Sequence, residues 1–107
     1  MPSVKLNLED MQAAAADACR LMKVLSNPDR LMLLCQLVQG EHNVGELEAA
    51  LGIVQPTLSQ QLGILRETGI AETRRDGKQI FYRLTQQKAA QLIAALYDIF
   101  CQKDDVS

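Results

Sequence analysis

Along the first quarter of the chain, apolar residues recur at alternating spacings of three and four: Leu8, Met11, Ala15, Ala18, Met22 and Leu25, with Ala-rich filling between them. That period predicts a first helix over about 8–26, with a narrow, smooth seam that suits a helix partner. Asn27 then precedes Pro28, and a proline at the first helical position with Asp29 behind it predicts a second start. "PDRLMLLCQLVQG" is apolar around most of its circumference, which predicts a buried helix that stops at Gly40. "HNVGELEAALG" predicts a short third helix with Val44, Leu47, Ala50 and Leu51 on one side, Gly52 as its stop and His42 in the loop before it. A fourth helix, over about 55–68, begins at Gln55-Pro56 and turns Leu58, Leu62 and Leu65 to one face.

Beyond Gly69 the period changes. Ile70 to Arg75 and Gln79 to Leu84 flank an Asp-Gly-Lys turn signal, which predicts a hairpin over about 70–84 with one of Phe81 and Tyr82 facing inward. A last helix, over about 86–102, carries Ala89, Leu92, Ile93, Leu96, Ile99 and Phe100 on an apolar face and reaches Cys101 near its end; residues 102–107 read as a frayed tail. Two short helices joined by a tight, glycine-bearing turn make a helix-turn-helix. The order α-α-α-α-β-β-α is that of a winged helix-turn-helix, mostly α with a two-stranded β wing, in a single domain over 1–107.

Composition narrows this further. A chain of 107 residues has room for one core, and four aromatic residues with no Trp leave that core to Leu, Ile, Ala, Val and Met, which suits packed helices. Unbroken apolar runs such as Leu31 to Cys35 fall far short of the roughly 20 residues a membrane span needs, and no charged stretch followed by an apolar segment opens the chain. The expectation is a cytoplasmic protein with no membrane partner. In a reducing compartment Cys19, Cys35 and Cys101, which lie far apart and form no Cys-x-x-Cys, begin as thiols.

A net charge of −2 argues at first against nucleic acid, but the charge is uneven. Residues 55–83 hold Arg66, Arg74, Arg75, Lys78 and Arg83 against Glu67, Glu72 and Asp76, a local +2 that leaves −4 for the rest. With three leucines turned to the core, the fourth helix presents Gln55, Thr57, Ser59, Gln60 and Gln61 outward near its start. Gln can pair bidentately with adenine, and Ser or Thr can bond base edges or phosphates. Arg74, Arg75, Lys78 and Gln79 surround the hairpin tip, where cations can reach phosphates at no cost to the core. A polar-faced helix directly before a basic hairpin thus points to double-stranded DNA, with the helix in the major groove and the hairpin along the neighbouring backbone or minor groove. Against this stand the bland readings of a solvated helix face and a soluble turn.

Catalytic chemistry finds little support, with no phosphate loop, no Cys/His pair in a local motif and no paired carboxylates. His42 is the one histidine, and no Cys/His cluster surrounds it for a metal. Each cysteine lies on or beside an apolar helix face, where inert packing is the default, but Cys101 closes its helix beside a polar tail and should be partly exposed. Three cysteines permit three pairs, and spacing alone does not choose among them.

"LSNPDRLMLLCQL", "VGELEAALGIVQPTLSQQLGILRETGIAETRRDGKQIFYRLT" and "LIAALYDIFC" together resemble the ArsR/SmtB family of dimeric bacterial repressors over nearly the whole chain. Within it they are most similar to the BigR/SqrR-like subgroup, which senses sulfide-derived persulfides through two cysteines. The resemblance implies a recognition helix in "QPTLSQQLGILRE" and a wing in "RRDGKQIFYRLT". It also implies a homodimer built by the first and last helices, an operator that is an imperfect palindrome, and a redox-sensing pair of Cys35 and Cys101 that takes reactive sulfur species as inducer. The family's arsenic or cadmium motif places cysteines in the third helix, where this chain has none, and its zinc site uses Asp and His on the last helix, which here has no His. No metal site and no cofactor are implied. Cys19 has no counterpart in the two-cysteine pattern. A repressor responding to a metal or a general oxidant, a constitutive DNA-binding protein, a protein-binding adaptor and a sulfur-transfer enzyme are the alternatives.

Overall fold

In the computed structural model, which describes residues 4–101, the chain forms α1 (Leu8–Leu25), α2 (Pro28–Val38), β1 (His42–Asn43), α3 (Val44–Leu51), α4 (Thr57–Glu67), β2 (Ala71–Asp76), β3 (Gln79–Leu84) and α5 (Gln87–Phe100). The expected tail over 102–107, and residue 102 as the end of the last helix, lie outside the described residues. This is a winged helix-turn-helix: α3, a turn and α4, followed by the β2–β3 hairpin.

Side chains that satisfy orphan amides set the starts of the first three helices. Asn7 accepts from the Glu9 and Asp10 amides at 2.9 and 3.2 Å, and Asn27 accepts from the Arg30 amide at 3.0 Å with Pro28 behind it. Asn43 forms a full capping box: its side chain accepts from the Glu46 amide at 2.7 Å while Glu46 accepts from the Asn43 amide at 2.8 Å. Gly52, at φ 68°, stops α3 in the left-handed conformation that glycine adopts without strain. Asn43 also donates to Gln79 at 3.2 Å, so it joins α3 to the wing. Asn43→Ala is expected to cost about 1–2 kcal/mol, read as a lower urea midpoint at unchanged slope.

The core gathers one face from every helix: Leu33, Leu34 and Leu37 of α2, Leu47 of α3, Leu58, Leu62 and Leu65 of α4, and Ala89 and Ile93 of α5, closed by Val24, Leu25, Ile53, Ile70 and Ala71. The second helix is less enclosed than its composition suggested, since Met32 and Val38 are exposed. On α3 only Leu47 is buried, and Ala50 is exposed. The apolar face expected on the last helix divides: Ala89 and Ile93 are buried, Leu92 and Leu96 pack half-buried against the core, and Ile99 and Phe100 face outward.

His42 does not lie in a loop. With Asn43 it adds a third strand, giving the antiparallel order β1-β3-β2 with His42 opposite Tyr82 and Asn43 opposite Phe81. Two residues are too few to show a strand period in sequence. The His42 ring is engaged on both sides, Nδ1 lying 2.7 Å from the Gly40 carbonyl and Nε2 3.2 Å from the Gln36 amide nitrogen. Asp76 pairs with Gln79, so the hairpin loop is Gly77-Lys78, with Gly77 at φ 65°. Primed hairpin turns require positive φ at that first central position.

Candidate nucleic-acid interface and thiol pair

The helix α4 begins at Thr57 rather than at Gln55, and Gln55 serves it from outside. Pro56 in the cap position has no side chain that can accept, and Gln55 Oε1 takes over, accepting from the Ser59 amide at 3.1 Å and from Ser59 Oγ at 2.7 Å. Leu58, Leu62 and Leu65 anchor the helix inward. Ser59 and Gln60 are exposed on its outer side, Thr57 and Gln61 are half-buried on its flank, and Gln55 is exposed before it. The Gln61 carbonyl accepts from Arg30 Nη1 at 2.9 Å, a partner on α2 that nothing in the sequence pattern announced.

The four wing residues divide into two kinds. Arg74 is not a free cation: its guanidinium meets both Glu41 carboxylate oxygens, at 2.8 and 2.7 Å, approaches Asp76 at 3.8 Å and lies 4.4 Å over the Phe81 ring. The hydrogen bond from Arg74 holds the Glu41 carboxyl below the usual carboxylate range, and the Arg74 and Arg83 charges act in the same direction. Arg74 therefore ties β2 to the segment before β1. Arg83 pairs with Glu72 across the same strands. Arg75, Lys78 and Gln79 are exposed at the tip, and among the described residues no carboxylate forms an ion pair with Arg75 or Lys78.

Cys35 sits half-buried on α2, packed against the core, while Cys101 is exposed at the end of α5 and Cys19 is exposed on α1. All three are free thiols. Burial pushes the Cys35 thiol up, and the nearby Cys101 charge pushes it the same way. The helix α2, which carries Cys35, packs against α5, which ends at Cys101.

A second surface is apolar. Leu8, Met11 and Met22 of α1 are exposed, as are Tyr97, Ile99 and Phe100 of α5. Between α1 and the start of α5 runs an open groove of about 1130 Å³, lined in part by Ala14, Ala18, Leu21, Met22, Ile64 and Leu92. Among the described residues, no helix is long and apolar enough to cross a membrane.

Residues 27–73 match the family model described as bacterial regulatory protein, arsR family. A biofilm growth-associated repressor of Xylella fastidiosa is 65% identical over 96 residues, which span 90% of this chain and 84% of that protein. The crystal structure of the transcriptional repressor BigR from the same organism superposes with a TM-score of 0.88 at 63% identity, covering 92% of this chain and 100% of that one. A winged helix-turn-helix DNA-binding domain of Mycobacterium bovis, described as homodimeric, has a TM-score of 0.70 at 33% identity over 92% of this chain and 89% of that domain.

Proposed function

The chain belongs to the arsR family of bacterial regulatory proteins, and from that premise we propose that this transcriptional repressor is a homodimer released from its operator when Cys35 and Cys101 react with reactive sulfur species. The observation that supports the sulfur chemistry is the packing of α2, which bears half-buried Cys35, against α5, which ends at exposed Cys101. The helix α2 packs against α4, and α5 bears exposed Tyr97, Ile99 and Phe100. A covalent bridge between Cys35 and Cys101 would therefore link the element supporting the reading helix to the element offered to a second copy.

Exposed Cys101 is the point of entry. A persulfide R–S–SH transfers its outer sulfur to the Cys101 thiolate and leaves as R–SH. Attack by Cys35 on Cys101 Sγ then expels hydrogen sulfide and closes a disulfide. If each cysteine has taken one sulfur, condensation with loss of hydrogen sulfide closes a trisulfide. In both routes the persulfide is itself the oxidant. A disulfide needs Cα atoms within about 7 Å, and each added sulfur lengthens the reach by roughly 2 Å, so separation decides which bridge forms. Burial and the Cys101 charge push the Cys35 thiol up, and since the thiolate is the nucleophile, this slows its attack on peroxide and on Cys101 Sγ alike.

In the DNA-bound dimer, Ser59 and Gln60 would read base edges, with Gln55, Thr57 and Gln61 beside them, while Arg75, Lys78 and Gln79 would contact the backbone. Arg74 would act as the brace that holds the wing. Two reading helices about one helical turn apart, roughly 34 Å, would select an imperfect palindrome. Ser59→Ala or Gln60→Ala is expected to cost about 1–3 kcal/mol and to relax preference at particular operator positions. Arg75→Ala should instead weaken all sequences alike and lower the salt slope by about 1. Anisotropy on operator and scrambled duplexes at several salt concentrations separates the two. The whole reading is tested by intact-mass spectrometry after separate exposure to persulfide, peroxide and metals, run beside anisotropy on the operator. A bridged mass and release with persulfide alone is the expected result.

A further inference from the structure

Arg30 has no place in the sulfur chemistry, yet its guanidinium donates to three residues. Nε meets the Val24 carbonyl at 2.8 Å and Nη2 the Lys23 carbonyl at 3.4 Å, while Nη1 meets Gln61 Oε1 at 2.9 Å. The two carbonyls belong to the last turn of α1, where the negative end of the helix dipole favours a cation. The Arg30 amide is held at the start of α2 by Asn27. The guanidinium is thus fixed without help from Gln61, and it is the Gln61 amide that is oriented by the contact.

That orientation has one chemical sense. A guanidinium has no acceptor, so the atom facing it is the amide oxygen and not the nitrogen. The Gln61 NH2 group has no hydrogen-bond partner among the described residues, and none of their buried side-chain nitrogens or oxygens lacks one, so the NH2 group is open to solvent. A free glutamine pairs with adenine through both ends of its amide, accepting from N6 and donating to N7. Here the oxygen already serves a cation, and an adenine amino group would approach that same positive charge.

We propose that Arg30 is a positioning residue that turns Gln61 into a hydrogen-bond donor toward an acceptor on operator DNA, either an acceptor base edge or a phosphate oxygen, and so disfavours two-ended adenine pairing by Gln61. The inference rests on the assignment of α4 as the reading helix. Guanine O6 and N7 and thymine O4 are major-groove acceptors with no amino donor on the same base edge, whereas adenine N7 lies beside the N6 amino group.

The test uses the full-length protein in selection from randomised duplexes, with anisotropy on the selected sites, for the unmodified chain, Arg30→Met, Gln61→Met and the double variant. Thermal melts accompany each. Gln61→Met is expected to lower affinity about 5- to 10-fold, the scale of one hydrogen bond. If the acceptor is a base edge, the loss is confined to sites with guanine or thymine at one position of each half-site, and Arg30→Met moves that preference toward adenine. If it is a phosphate, the loss is equal on all sequences. In either case the double variant should bind no more weakly than Gln61→Met, because Arg30 acts through Gln61.

Additive losses overturn the proposal, as does an adenine preference that disappears with Gln61→Met, or unchanged affinity and unchanged preferences in Gln61→Met. The last two outcomes need only the Gln61 variant, so they stand even if Arg30→Met fails to fold. Failure of the unmodified chain to enrich any sequence is a separate result, which removes the reading-helix assignment and this inference with it.

Discussion

Ile99→Glu is expected to convert the protein to a monomer and to lower operator affinity by roughly 100-fold or more. Two linked half-site contacts gain avidity of about that size over one, and the gain vanishes when the link is lost. Ile99 is 70% exposed and its neighbour Phe100 78%, on a helix that also exposes Tyr97. Nothing among the described residues of the protomer covers these side chains, so a charge at position 99 leaves the protomer core intact but would stand unpaired in a dry contact with a second copy. Light scattering at micromolar concentration reads the mass, circular dichroism confirms the helix content, and anisotropy on the operator reads the loss. A dimer that persists with full affinity would assign this apolar surface to some other use.

Cys35→Ser and Cys101→Ser are each expected to bind operator normally when reduced and to ignore a persulfide donor that weakens the unmodified protein by about 5- to 150-fold, the usual span of allosteric coupling. Cys19→Ser should still respond, because Cys19 is exposed on α1, a helix that carries neither member of the pair. The expected product is an intramolecular bridge, a disulfide or the same bond lengthened by inserted sulfur, lighter by two hydrogens than the thiols and the added sulfur together. The two residues should differ in pace. Cys101 is exposed, whereas burial and the Cys101 charge both hold the Cys35 thiol in its protonated form, so capping of Cys35 by an alkylating reagent should be slower at neutral pH and accelerate as pH rises. Release of Cys35→Ser from DNA as readily as the unmodified chain would remove Cys35 from the pair and move attention to Cys19.

Much of the architecture is legible in the sequence. The three-and-four spacing of Leu58, Leu62 and Leu65, the Asn27-Pro28 start, the Gly52 stop and the Asp-Gly turn each act over a few residues, and each stands in the structure close to where the pattern placed it. Such signals depend on side-chain period and backbone sterics, which are properties of the chain itself. The same period also left Met11 and Met22 on a seam with no partner in the chain, and the structure leaves both exposed.

What only the tertiary structure decided is who meets whom. Strand β1 exists because His42 and Asn43 find Tyr82 and Phe81, some forty residues away in sequence. Arg74 looked like a free cation until Glu41, 33 residues distant, took two of its donors, and Gln61 looked like an unconstrained reader until Arg30, 31 residues distant, engaged its oxygen. Cys35 and Cys101 carry no spacing that marks them as neighbours, and they came together in sequence only by resemblance to a family. Periodicity tells which face of an element is buried, because burial repeats with every turn. A single ion pair, a single amide bond or a pair of thiols repeats nowhere along the chain, and its partner is set by how the helices pack.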